Sequence, residues 1–284
     1  MISITQDVID HVAEGFSIPS MPKILIEVQR ICADEDGEIA ELASLISTDI
    51  GLSSAILKTI NSPLYGMNRA ISDISQAVML LGMGSVSTLI SGILIKQSFK
   101  GEAAIRFERL WDNAALVAET MVYIGQNIND KIPPENLYTA GLFHDCGIAA
   151  MSMRFTSTYL ETLLLANEDH SKTQVEHEER AHQSNHAVVG YFISAGWKLP
   201  KDICQVILNH HESDFLTTNK AHMENLVYAT LKVADNMVSS LKRRQNIEGW
   251  EDIKEDCFEQ LGIDEHKFHD LSEDLEELWQ RREE

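Results

Sequence analysis

The chain has 284 residues, 44% hydrophobic and 24% charged, which suits a substantial core and argues against a disordered polypeptide. A formal charge of −21 argues against a large nucleic-acid footprint, although a local pocket can still take a small anion. The four cysteines, Cys32, Cys146, Cys204 and Cys257, form no CxxC pair, so neither a zinc ribbon nor a disulfide framework is expected. The opening MISITQDVIDHVAEG carries charge from Asp7 onward, and the most apolar stretch, Val86 to Ile95, is too short to span a bilayer. A cytoplasmic protein without a leader or membrane insertion is the expectation.

Helical periodicity dominates in chain order. Pro22 opens a helix in which Leu25, Val28 and Cys32 recur at helical spacing. Asp49 is placed to cap GLSSAILKTI, which should stop at Asn61-Ser62-Pro63. Ser72 is read as the cap of SQAVMLL, with Gly82 as its stop. A polar join at Lys100-Gly101-Glu102 precedes a long helix whose Leu110, Asn113, Val117, Met121, Ile124 and Ile128 share a stripe. Pro133-Pro134-Glu135 starts the helix carrying GLFHDCG, and further helices fit 155–166, 185–195, 200–211 and 222–243. An acidic tail follows, with Leu271, Leu275 and Leu278 as an amphipathic stripe. No strand, internal repeat or low-complexity segment is evident. The pattern predicts an all-α, multi-helix bundle in two halves, 1–101 and 102–284.

The residues able to carry chemistry are His144-Asp145, His186, His210-His211 and Asp235. The apolar neighbours of the doublet on a helix place both residues near the core, where a carboxylate needs donors or a cation. Neutral imidazole is the commonest side-chain ligand for transition metals, so a metal ion can serve as that cation. His210 and His211 differ by about 100° around a helix and can share one cavity only near its end. Asp235 lies between Leu231 and Val238 on an otherwise apolar stripe, and His186 opens HAVVGYFI. Each placement also has a purely structural explanation, and no short ligand motif joins them. The histidines at 11, 170, 177, 182, 222, 266 and 269 lie in polar surroundings and read as surface residues.

The order IPSMPKILIEV, NSPLYG, AVMLLG, LWDNAALVA, GLFHDCG, HAVVGYFISAGWKLPKDICQVILNHHE and VADNM resembles the HDOD (HD-related output domain) family over roughly residues 16–240. The resemblance implies an all-helical bundle acting in bacterial signal transduction and gene regulation, usually without demonstrated catalysis. It relates the chain to HD-domain phosphohydrolases, whose metal is held by an early His, the HD doublet and a late Asp. These positions correspond to Asn113, His144-Asp145 and Asp235. His186, His210 and His211 match the added ligands of two-metal HD-GYP phosphodiesterases, whose Lys three residues after the doublet is replaced here by Ile148. Asn113 is thus a degenerate ligand position, because an amide binds soft or borderline metals poorly. Ile148 brings no positive charge to a phosphoryl-transfer site.

The leading expectation is a non-catalytic signalling module with a degenerate HD site, protein partners and a small nucleotide as possible ligand. Iron, manganese or zinc would be its metal. The alternative is a metal-dependent phosphohydrolase or phosphodiesterase acting on nucleotides or cyclic dinucleotides. A pure protein-interaction scaffold is a third class.

Overall fold

The computed structural model describes residues 15–16, 19–62, 69–169 and 171–283, and these residues form helices and connections without a strand. Residues 63–66 of NSPLYG, with His11 and His170, lie outside them. No single helix among the described residues is long and apolar enough to cross a membrane.

The N-terminal part comprises α1 (Lys23–Ala33), α2 (Ile39–Ser47), α3 (Ile50–Ile60), α4 (Ile74–Leu81) and α5 (Met83–Ser98). Pro22 precedes α1 as expected, and Leu25, Val28 and Ile31 are its buried face. Asp49 caps α3 by accepting from the Leu52 N–H at 2.9 Å. The cap of α4 is Asp73 rather than Ser72. Its carboxylate accepts from the Gln76 N–H at 2.9 Å, because the extended backbone at Asp73 makes it the residue that enters the helix. Gly82, at φ +83°, turns the chain directly from α4 into α5, a conformation that favours glycine.

After a non-helical segment around Gly101, α6 (Phe107–Asn127) and α7 (Pro134–Phe143) pack on each other, and α7 also lies across α5. The buried face of α6 includes Trp111, Ala114, Val117, Met121 and Ile124, while Leu110 and Asn113 are only half-buried. Its core stripe is therefore rotated toward Trp111 and Ala114. The chain continues through α8 (Cys146–Arg154), α9 (Tyr159–Glu168), α10 (Gln174–His182), α11 (His186–Gly196) and α12 (Lys201–Asn209). The short α13 (Phe215–Thr218) and the long α14 (His222–Arg243) follow. The helix expected to begin at residue 155 starts at Tyr159, because Phe155 ends α8 and a turn intervenes.

The acidic tail is folded as α15 (Trp250–Leu261) and α16 (Glu265–Glu283). Leu271, Leu275 and Trp279 are buried, whereas Leu278 is half-buried. Tyr123 Oη donates to Asp274 at 3.1 Å and links α16 to α6. One continuous apolar cluster runs from Phe16 to Trp279. The N-terminal part is also tied across it by two bonds at the end of α11. Trp197 Nε1 donates to the Pro19 carbonyl, and Gln29 Nε2 donates to the Trp197 carbonyl, each at 2.9 Å.

Candidate metal centre

His144 and Asp145 sit at a joint between two helices, not within one: His144 closes α7 and Asp145 precedes α8. The sequence expectation of a single continuous helix through GLFHDCG fails here because Asp145 leaves helical geometry, at φ −100° and ψ 9°. The break frees the Asp145 carboxylate from both helix faces and turns it toward α11 and α12. Close approach of α8 and α11 completes the placement. A Cβ at Gly147 would overlap the His186 carbonyl and meet the Gly190 amide, so the two backbones touch where only glycine fits.

His186 is the first residue of α11, set by Asn185, whose side chain accepts from the Val188 N–H at 2.9 Å. His210 closes α12 and His211 follows, so the end of that helix lets both rings turn to one side. Four donors converge there: a carboxylate oxygen of Asp145 and a ring nitrogen each of His186, His210 and His211, all within 4.8 Å of one another. His186 Nε2 lies 3.3 Å from His210 Nε2 and 2.9 Å from His211 Nε2. Asp145 Oδ1 lies 3.6 Å from Nε2 of both His186 and His210. A tetrahedral ion with metal–nitrogen distances of about 2.0–2.1 Å holds its donors about 3.4 Å apart. These four separations, from 2.9 to 3.6 Å, bracket that value.

The far sides of two rings fix what their near sides can do. His186 Nδ1 faces Glu178 Oε2 at 2.8 Å, and His210 Nδ1 faces the Ile207 carbonyl at 2.7 Å. Both neighbours are acceptors, so both Nδ1 atoms carry hydrogen, and each ring in its neutral form presents a bare lone pair at Nε2. With both rings neutral, those lone pairs oppose each other across 3.3 Å. A cation between them satisfies both, and the convergence of four donors suits a metal ion better than a single proton. The donor set fits a divalent transition metal.

Electrostatics divides the histidines. Burial lowers His210 to about 4 and, with the neighbouring His210 and His186, holds His211 well below its ordinary range. Both rings are thus neutral at physiological pH, the form that binds metal. Burial opposes charge on His186 as well, but Glu178 and Asp145 outweigh it and raise its pKa. At Asp145 burial is outweighed by His144, His210 and His186, leaving the carboxyl well below its usual range.

His144 does not join the four donors. Its Nδ1 faces the Gly141 carbonyl at 2.7 Å and its Nε2 faces Asp145 Oδ2 at 3.1 Å. With an acceptor at each nitrogen the ring is an imidazolium, and Asp145 outweighs burial to raise it to about 9. Asp145 therefore gives Oδ2 to His144 and Oδ1 to the cluster. Asp235 lies half-buried on α14 within electrostatic reach of His144, outside the four-donor group, and burial raises its pKa. Asn113 is half-buried on α6, and Ile148 is buried in the first turn of α8.

Two neighbours of the cluster escape a sequence reading. Glu178 is fully buried on α10 and binds His186. Lys232 is buried on α14 and donates to the His210 carbonyl at 3.1 Å. The capping box formed by Thr173 and Glu176 is a signal that could have revealed α10, with Val175, Glu178 and His182 along one face. Two histidines read as surface residues are buried. His177 contacts the Asp169 carbonyl at 3.2 Å, and His182 contacts Thr162 at 2.9 Å while stacking on Phe155. Their helix is polar in composition, which hides its inward face. His222, His266 and His269 are exposed as expected.

The HDOD domain family model matches residues 18–213. An uncharacterized protein of Treponema pallidum (strain Nichols) is 28% identical over 200 residues, covering 68% of this chain and 37% of that protein. The chain thus spans little more than a third of that relative's length. A crystal structure of an HDOD domain protein of unknown function from Geobacter sulfurreducens superposes with a TM-score of 0.65 at 23% identity, covering 95% of this chain and 96% of that one. A candidate phosphohydrolase from Shewanella amazonensis SB2B gives 0.71 at 17% identity, covering 96% and 94%. At these identities the structural likenesses establish the fold.

Proposed function

Because the chain belongs to the HDOD family, we propose that it is a non-catalytic signalling module in which Asp145, His186, His210 and His211 hold one divalent transition metal. The observation that carries this reading is the closed donor set. Four protein donors are enough to fill the tetrahedral shell of a zinc ion, whereas catalytic zinc sites keep one position for water or substrate. Asn113 and Ile148 support it further: one offers no imidazole, and the other is a buried alkyl group where the two-metal phosphodiesterases carry a cation. The metal then acts on the fold by joining the α7–α8 joint to the ends of α11 and α12, and its partners are proteins of a signalling pathway.

A phosphohydrolase is the second reading, favoured by Lys232. This buried cation exerts its charge on His211 and Asp235 and could replace the one missing at Ile148. Elemental analysis of protein purified without added metal, paired with phosphodiester hydrolysis in Mn²⁺, separates the readings. One equivalent of a divalent transition metal, zinc by this donor count, without turnover is expected. Turnover that disappears in Asp145→Ala overturns the non-catalytic assignment. Absence of metal, with stability unchanged by chelator, overturns the metal site.

A further inference from the structure

We propose that Glu178 is the outer-sphere carboxylate that positions His186 as the anchoring metal ligand, an inference that rests on the metal reading above. Its side chain is fully buried, and no Lys or Arg pairs with it among the described residues. Instead, its two oxygens are taken up by hydrogen bonds at the start of α11 and from Tyr159 and Gln174. Oε2 accepts from the His186 backbone N–H at 2.7 Å and faces the same residue's Nδ1 at 2.8 Å. Oε1 accepts from Tyr159 Oη at 2.6 Å and from Gln174 Nε2 at 3.0 Å.

Each half of this arrangement has a separate consequence. The backbone bond places a carboxylate at the N-terminus of α11, where unsatisfied N–H groups and the helix dipole favour negative charge. The ring bond fixes hydrogen on Nδ1, leaves Nε2 bare for the cluster and raises the basicity of that nitrogen. Tyr159 and Gln174 hold the other oxygen, so the carboxylate cannot rotate away. A buried anion normally needs a nearby cation. Here Asp145 already has the His144 imidazolium at 3.1 Å, whereas Glu178, among the described residues, reaches positive charge only through the His186 ring and the cluster beyond it. Glu178 is thus a positioning residue for the metal.

The test compares Zn²⁺ affinity, by competition with a chromophoric chelator, for the parent, Glu178→Gln and Tyr159→Phe. Circular dichroism and melting of each metal-free protein are recorded alongside. Glutamine retains size and an acceptor but removes the charge. Glu178→Gln should lose roughly 10- to 100-fold in affinity, and Tyr159→Phe, which leaves Oε2 in place, should lose far less. Equal affinities in parent and Glu178→Gln overturn this inference and leave the metal site standing. If the parent binds no Zn²⁺, the metal reading falls and takes this inference with it. Should Glu178→Gln fail to fold, ¹⁵N NMR of the histidine rings in the parent decides. His186 is expected as the Nδ1–H tautomer with Zn²⁺ on Nε2, and nitrogen shifts that place Zn²⁺ on Nδ1 overturn the inference.

Discussion

Asp235 stands on α14 with Leu231 and Val238 buried on either side of it, and its carboxyl is raised above the ordinary range chiefly by burial. The protonated form is therefore favoured by folding. Its contribution to stability declines as pH rises through the ordinary carboxylate range to the raised value, and above that it remains a fixed deficit. Asp235→Asn should accordingly stabilise the metal-free protein at neutral pH, by about 0.5–1 kcal/mol in urea denaturation. The gain should shrink toward acidic pH, and a loss at neutral pH would show that ionised Asp235 has a compensating partner. The apolar stripe around this acid was legible from sequence, as were His186 at a helix start and His210-His211 at a helix end. Glu178 was not legible, because its value depends on packing α10 against α11, and its neighbours in HEERAH are too polar to signal an inward face.

Among the helices, the crossing of α8 and α11 is the joint on which the cluster depends. Gly147→Ala would drive a methyl group into the His186 carbonyl, with backbone rather than a flexible side chain in the way. We expect a loss of about 3 kcal/mol in urea denaturation, accompanied by weaker metal binding because His186 moves with its helix. Normal stability in this variant would mean that the two helices separate easily. Periodicity revealed these helices but not the break at His144-Asp145. Apolar residues continue across the joint, so the pattern reads as one helix. No Gly or Pro stands at His144 or Asp145 to mark the interruption. The same limit applies to Ser72 and Asp73, since both are good capping residues and only the backbone path selects between them.

On the scale of the whole molecule, the C-terminal helices belong to the folded body although the family match ends at residue 213. α15 packs on α14, burying Trp250, Ile253 and Phe258. α16 adds Leu271, Leu275 and Trp279, with Lys242 Nζ 5.1 Å from the Trp279 ring. Truncation after Asn246 should therefore expose a broad apolar face of α14, lower the melting temperature and increase binding of a hydrophobic dye. A truncated chain that melts like the full one would mark these helices as an independent appendage. Leu271 and Leu275 announced this burial in the sequence, whereas the surface that receives them could not be read there.

The bonds at the end of α11 have a practical consequence. His186 begins that helix and Trp197 follows its last residue, roughly 16 Å away at the ordinary helical rise. The helix is one short rod. Its far end is a natural chromophore, with the indole N–H on Pro19 and its carbonyl on Gln29. A tilt of the rod at the histidine end is carried to the indole where it meets the N-terminal segment. The emission of Trp197, isolated by replacing the other three tryptophans with phenylalanine, thus turns the molecule into its own optical gauge of what happens among the histidines.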